Sequence, residues 1–579
     1  MLIAFQRLLA RDRSTSGTTD KRLLLFKLRQ QGVYPALALP ALLLMVLFFI
    51  IPLVRMVGVS FGDDGFSLAY YDRALTNPIY QRMFRTTFEL AAFTTAGCLL
   101  LGYPIAYFLA TRTGRWRGVV LLITIVPFIT NSIAGVYSWR VVLGRRGPLN
   151  EFIQLIGIVD QPLELLWTRM AVEIGMIQMF LPFMILPLFA VMRGIPRSLT
   201  AVAESMGATP LRSFRHVFLP LSVPGIWAGC LLVFILSAGS AIAPTILGGV
   251  RDQGIASYLA GTSGFSAALA VILLVIIIIL YMIFARIIGF GSLYGAGEAL
   301  IRSSPIEMSY RAPRRVPLIL VVGIVCAFLI LPSLIVIPLA FNESSFVIFP
   351  PKGYSLEWIK TFFVSSTISP VNWLESTFTS LQLAFVTVLV AVPAGGMVAY
   401  GLARGSFPGK GLLGSFVILP LIVPATLSAI ALFYFYSLNM RVLVGTVIGI
   451  GMPHAVLAIP YVVIILTATL RGVDQVHEQA AMSLGANRFT AFRKIILPQI
   501  VPGISVATFF AFLVSFYEVP IAVFLKDPFL RTLPMNLWNG VTVEFAPMMA
   551  AVSFILLIFA ALMLIGLVFF RNRLFKQRT

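Results

Sequence analysis

Apolar runs of roughly 20 residues recur along the chain, separated by short polar segments. A helix needs about 20 apolar residues to cross about 30 Å of hydrocarbon, so each run predicts one membrane span. The runs are continuously apolar instead of alternating with period two, which excludes a membrane barrel. Twelve spans are expected: near 34–60, 86–111, 118–142, 169–192, 220–246 and 264–289, then near 317–341, 376–401, 412–437, 447–470, 499–525 and 547–570. Between the two sets, "GSLYGAGEALIRSSPIEMSYRAPRRVP" is polar, glycine-rich and basic, and reads as a linker. The expected organisation is an all-α polytopic membrane protein: a tail at 1–33, a six-span half at 34–289, a linker at 290–316, a second six-span half at 317–570 and a tail at 571–579.

Composition supports the same class. The chain is 59% hydrophobic and 11% charged, against about 25% charged residues in a soluble domain. The net charge of +21 does not point to nucleic acid, because the basic residues cluster in short segments between spans, as expected of cytoplasmic loops. That bias puts both termini and the linker inside, although Arg73, Arg82, Arg85, Arg145 and Arg146 then fall on the outer side. The first 30 residues lack a cleavable signal pattern and read as a cytoplasmic tail, with "KRLLLFKLR" resting on anionic lipid. Cys98, Cys230 and Cys326 sit in or beside apolar runs as small hydrophobes, so neither a disulfide nor a metal site is expected.

One element occurs twice. "FRHVFLPLSVPGI" at 214–226 returns as "FRKIILPQIVPGI" at 492–504, with eight of thirteen positions identical at an offset of 278. Upstream, Ile195, Leu199, Val202 and Met206 are spaced as one apolar helix face, and Val473, His477, Ala480 and Leu484 repeat the spacing. Gly207 and Gly485 follow, each suited to the left-handed residue that ends a helix. A second short helix should carry Phe214 and Val217, or Phe492 and Ile495, and end at Pro220 or Pro498. Two equivalent loops, at 193–220 and 471–498, suit two identical partners docking symmetrically.

Each copy resembles the EAA loop of the permease subunits of binding-protein-dependent ABC importers, which docks into a groove of the ATPase subunit. Gly207, Leu219 and Pro220 match the pattern in the first copy; Ala480, Ala481, Gly485, Ile495, Leu497 and Pro498 match it in the second. The family's glutamate position holds Ala201 and Gln479, with Glu204 and Glu478 close by as displaced carboxylates. "LPFMILPLF" and "PTILGG" resemble the first permease of the spermidine/putrescine class, and "GMPHAVLAIPYVV" and "SFYEVPIAVFLKDPFLRTLPMNLW" its second. The resemblance implies two such permeases fused in one chain of the type I importer fold. It also implies a bacterial inner-membrane location, two copies of an ABC ATPase as partners, and a periplasmic binding protein that delivers the solute.

No G-x-x-x-x-G-K-[ST] phosphate loop occurs, and "GSFPGKG" has the wrong spacing. ATP and Mg are therefore expected on the partner ATPase subunits, with no catalytic residue and no cofactor in this chain. For the substrate path, Glu518 in "SFYEVP" is the main candidate. An acid at mid-membrane costs about 3 kcal/mol, so it either faces a water-filled path and meets a cation or lies near the outer surface, paired with Lys526 or solvated. Ser240 is its counterpart in the first half. His454 is either a buried neutral histidine bonded to a backbone carbonyl or a gate. Tyr517, Trp538 and Tyr434 either stack on an organic cation or belong to the interfacial aromatic belt. Pro182, Pro187, Pro420 and Pro424 should kink their helices. The expected function is an ATP-driven importer permease for a polyamine-like organic cation. Ferric iron, opines and phosphonates are alternative solutes, and an ion-coupled secondary transporter is the alternative class.

Overall fold

The computed structural model describes residues 33–62, 66–259, 263–288, 316–364, 371–525, 530–543 and 546–576. The tail at 1–32, the linker at 290–315, Lys526 and the last residues from 577 lie outside the described residues.

Ten described helices are long and apolar enough to cross a membrane, and the count reaches twelve if two bent pairs each form one span. In the first half these are α1 (Val33–Val59), α2 (Pro78–Thr111), the bent pair α3 (Arg115–Ile129) and α4 (Ser132–Val142), and α5 (Arg169–Arg193). After the short loop helix α6 (Arg197–Ser205) come α7 (Leu219–Ala238), the short α8 (Ile242–Leu247) and α9 (Gly264–Ile288). The second half repeats the order: α10 (Val316–Ala340), α11 (Trp373–Arg404), the bent pair α12 (Lys410–Ile422) and α13 (Ala425–Asn439), and α14 (Val447–Arg471). Loop helix α15 (Gln475–Ser483) then leads to α16 (Leu497–Phe516), α17 (Pro520–Phe524), α18 (Leu533–Val543) and α19 (Met548–Lys576).

The third span of each half, expected as one run at 118–142 and 412–437, is broken. The two pieces meet at 96° in the first half and 92° in the second. Pro127 and Pro420 each remove a hydrogen bond just upstream of the break. Pro424 then holds Val423 in extended backbone. At the matching position Asn131 accepts from the Ile133 N–H at 2.8 Å and caps the restarting helix. Both restarting pieces are buried along most of their length, as irregular backbone inside a membrane must be.

The repeated element also departs from expectation. Pro220 and Pro498 do not end a helix. Each copy runs from a one-turn helix through a π-helical turn, Phe214–Phe218 or Phe492–Ile496, directly into α7 or α16. The Leu219 N–H reaches back to the Phe214 carbonyl, and Leu497 does the same to Phe492. Each proline then stands in the first turn of the next α-helix, where no intrahelical donor is needed.

Helices α2, α5 and α7 pack together in the first half, as α11, α14 and α16 do in the second. The outer helices cross over. α1 lies against α11, α13 and α14, while α10 lies against α2, α3 and α4. Two apolar cores result, and each draws on both halves: Met45, Phe48 and Leu273 join Leu383, Val462 and Ala507 in one, and Leu181, Val233 and Tyr137 join Leu329, Trp373 and Leu556 in the other. The halves repeat in sequence but interlock in space.

Candidate functional site

The paired loops close with the same geometry. Gly207 and Gly485 both have φ of +90°. The Gly207 N–H donates to the Glu204 carbonyl and the Ala208 N–H to Ala203, each at 3.0 Å; Gly485 and Ala486 repeat this to Met482 and Ala481 at 3.0 and 3.1 Å. Such paired bonds satisfy the last carbonyls of a helix and need a left-handed residue, which glycine adopts without a side-chain clash. The one-turn helix that follows is capped in both copies: Thr209 Oγ1 accepts from the Arg212 N–H at 3.3 Å, and Asn487 Oδ1 from the Thr490 N–H at 2.7 Å. These two caps were legible as Thr and Asn just before the repeat, and the sequence reading passed over them.

The apolar face predicted for the first loop is open. Leu199, Val202 and Met206 are 44%, 55% and 83% exposed, and Leu484 is 89% exposed in the second. Ala201, Gln479 and Ala480 are exposed beside them, Ala481 and Glu204 are half-buried, and Val473 is turned into the core. Leu219 and Leu497 are half-buried, whereas Pro220 and Pro498 are exposed.

Glu478 does not serve as a displaced docking carboxylate. It is buried, accepting from the Tyr400 hydroxyl at 2.6 Å, with Arg404 Nε at 3.5 Å. Its carboxylate points back along the helix toward α11 and away from the exposed face.

The substrate-path candidates fall into a second cluster, where α7 and α16 stop. Ser240 and Glu518 hold equivalent places, each just before a short restarting helix, α8 or α17. Glu518 is buried and neither interfacial nor open to a path in this conformation. The Ile521 N–H donates to both its oxygens at 2.9 Å and the Ala522 N–H to Oε2 at 3.2 Å, so the carboxylate caps α17. The pairing with Lys526 lies outside the described residues. His454, expected to bond a backbone carbonyl, instead has Nδ1 2.9 Å from the Ser515 hydroxyl and Nε2 3.2 Å from Glu518 Oε2. The Ser515 hydroxyl accepts in turn from Thr387 at 3.0 Å, which gives a buried polar chain across α11, α14 and α16. Ser240 Oγ is enclosed without a hydrogen-bond partner. Tyr517 and Trp538 are half-buried, and the Tyr434 hydroxyl donates to the Ser263 carbonyl at 2.5 Å, so its polar end is engaged inside the protein.

Sequence reasoning missed the contact that joins the two breaks. Gly239, at the end of α7, lies directly against Pro424, and its carbonyl accepts from Thr426 Oγ1 at 2.5 Å. Among the described residues no group of three or more His, Cys, Asp and Glu could hold a metal ion.

Comparison with known proteins places these features in a family. The model of the binding-protein-dependent transport system inner membrane component matches residues 102–290 and again 391–576. The spermidine/putrescine transport system permease protein PotB of Escherichia coli (strain K12) is 36% identical over 216 residues, covering 36% of this chain and 78% of that protein. PotC of the same system and strain is 28% identical over 243 residues, covering 42% of this chain and 88% of that protein. Among solved structures, a bacterial ABC transporter involved in the import of the acidic polysaccharide alginate matches with TM-score 0.39 and 18% identity, over 46% of this chain and 99% of that one. The loops, the paired breaks and two matched domains in one chain lead to one conclusion: this protein belongs to the inner-membrane permeases of binding-protein-dependent ABC importers, with two permease units fused in a single polypeptide.

Proposed function

We propose that the chain forms the translocation path of an ATP-driven importer for a polyamine-like organic cation, delivered by a periplasmic binding protein. Two copies of an ABC ATPase dock at the paired loops, and ATP and Mg are bound there and not by this chain. The single observation that carries the docking is the pair of loop helices with matched Gly207 and Gly485 turns and exposed apolar faces. Exposed apolar residues on both loops favour a protein partner over water. The polyamine class is supported by the relatives' own substrates, spermidine and putrescine. Glu518 contributes to that class only if α17 moves and frees its carboxylate, because both oxygens are engaged as the chain stands.

Affinity purification of the full chain from its native membrane tests the docking. An ABC ATPase should co-purify at two copies per chain, and its absence would refute the reading. Proteoliposomes holding that complex and its binding protein should take up labelled spermidine or putrescine on ATP addition. Uptake of ferric iron, an opine or a phosphonate in their place would overturn the polyamine assignment.

A further inference from the structure

The two loops look alike from outside but are anchored differently. In the second half, α15 is tied to the end of α11 by three side chains. The Tyr400 hydroxyl donates to Glu478 Oε1, Arg404 Nη2 donates to the Val473 carbonyl at 3.0 Å, and Arg404 Nε lies 3.5 Å from Glu478 Oε2. The Arg404 and Glu478 side chains are only 5% and 9% exposed. A charge pair enclosed to this degree, with its remaining hydrogen-bonding groups used on the backbone and a tyrosine, holds one geometry.

The first half lacks the pair. "YFLAT" at 107–111 aligns with "YGLAR" at 400–404, so Thr111 stands where Arg404 does, and Thr200 lies 278 residues before Glu478. Two threonines cannot form an ion pair. What both halves share is the aromatic hinge: Tyr107 packs edge-on against Phe214 at 5.5 Å, and Tyr400 against Phe492 at 5.4 Å. The second anchor also takes in the first half's leading helix, since the Tyr34 ring of α1 lies 6.2 Å from Tyr400 and beneath the Arg488 guanidinium at 5.7 Å.

We propose that Tyr400, Arg404 and Glu478 form a one-sided latch that makes α15 and α11 a single rigid body, so that motion imposed at the second loop reaches the membrane core directly. The first loop turns on its aromatic hinge and shifts relative to α2. The three residues are positioning residues for coupling. This inference rests on the docking of ATPase subunits at the loops. Two identical motors would then drive an asymmetric permease, with the second half leading.

Spin-label distances in the complex with the co-purified ATPase test the latch, with the accessible Cys230 replaced. One label pair, L484C with F385C, spans the second loop and α11; the other, M206C with L100C, spans the first loop and α2. All four sites are exposed. On trapping with ATP and vanadate, the second pair should hold its distance while the first pair shifts. R404M/E478L removes both charges together, which avoids stranding one buried charge, and it should give the second pair a shift like that of the first. Y400F, which keeps the ring and the ion pair, should loosen the second pair by less. A shift of the second pair in the native latch, or no change in R404M/E478L, would overturn the latch. Loss of the docking reading itself would show separately, as no ATPase co-purifying with the unmodified chain.

Discussion

Replacing Gly485 with valine isolates the contribution of one backbone angle to docking. The residue sits at φ +90°, and a side chain built there would meet no heavy atom within 4 Å. Steric overlap therefore adds nothing, and the whole cost is the left-handed backbone, about 1–2 kcal/mol for a residue with a side chain, with a β-branched one at the upper end. That range lowers the fraction of loops in the docking geometry by roughly 5- to 30-fold. The ATPase affinity of G485V, measured by titrating purified ATPase onto the permease in nanodiscs, should fall by that factor while insertion stays normal. G485N should lie close to the native protein, because asparagine tolerates the left-handed region. Gly207 has the same angle and the same open surroundings, so G207V should weaken the first site equally. Native affinity in the double variant G207V/G485V, or a G485N defect as large as that of G485V, would refute the reasoning.

Other predictions follow from the breaks and the topology. Glu518→Ala removes the cap of α17 and should cost about 1–2 kcal/mol, read as a lower unfolding midpoint in detergent, whereas Glu518→Gln retains an acceptor and should cost less; equal midpoints for all three proteins would exclude the capping role. Gly239→Ala would drive a methyl into Pro424 and should destabilise by about 1–3 kcal/mol, with Gly323→Ala, which has open space, as the neutral control. With both termini inside, L484C should resist an impermeant thiol reagent in intact cells while F346C reacts; the reverse pattern would invert the orientation. Thr426→Val removes the hydroxyl that joins the two halves at the Gly239 carbonyl and should cost about 1 kcal/mol in the same unfolding assay, with no change expected if that bond is not made in solution.

Much of this protein is legible in its sequence, for a definite reason. Lipid demands that each crossing satisfy its own backbone, so long apolar runs mark spans directly. The loop repeat was legible because its signals are local: an apolar face, a glycine at a left-handed turn and a proline at fixed spacing all act within about 15 residues. The match of the family model to both halves supports the duplication that those signals predicted.

What only the tertiary structure decided depends on pairs distant in sequence. Nothing local says that α1 packs on the second half and α10 on the first, because apolar faces do not carry the identity of their partners. Pro420 and Pro424 announced a kink, but the near-perpendicular break needed surroundings that could bury the freed backbone. Glu518 read equally well as a path residue or an interfacial acid; the nearby backbone donors of α17 and the opposing His454 made it a buried cap. Glu478 read as a docking carboxylate because it sits beside an exposed motif, yet Tyr400 and Arg404, more than 70 residues upstream, turn it inward. Charge is visible in a sequence, but its direction is set by the partner that folding brings within hydrogen-bond reach.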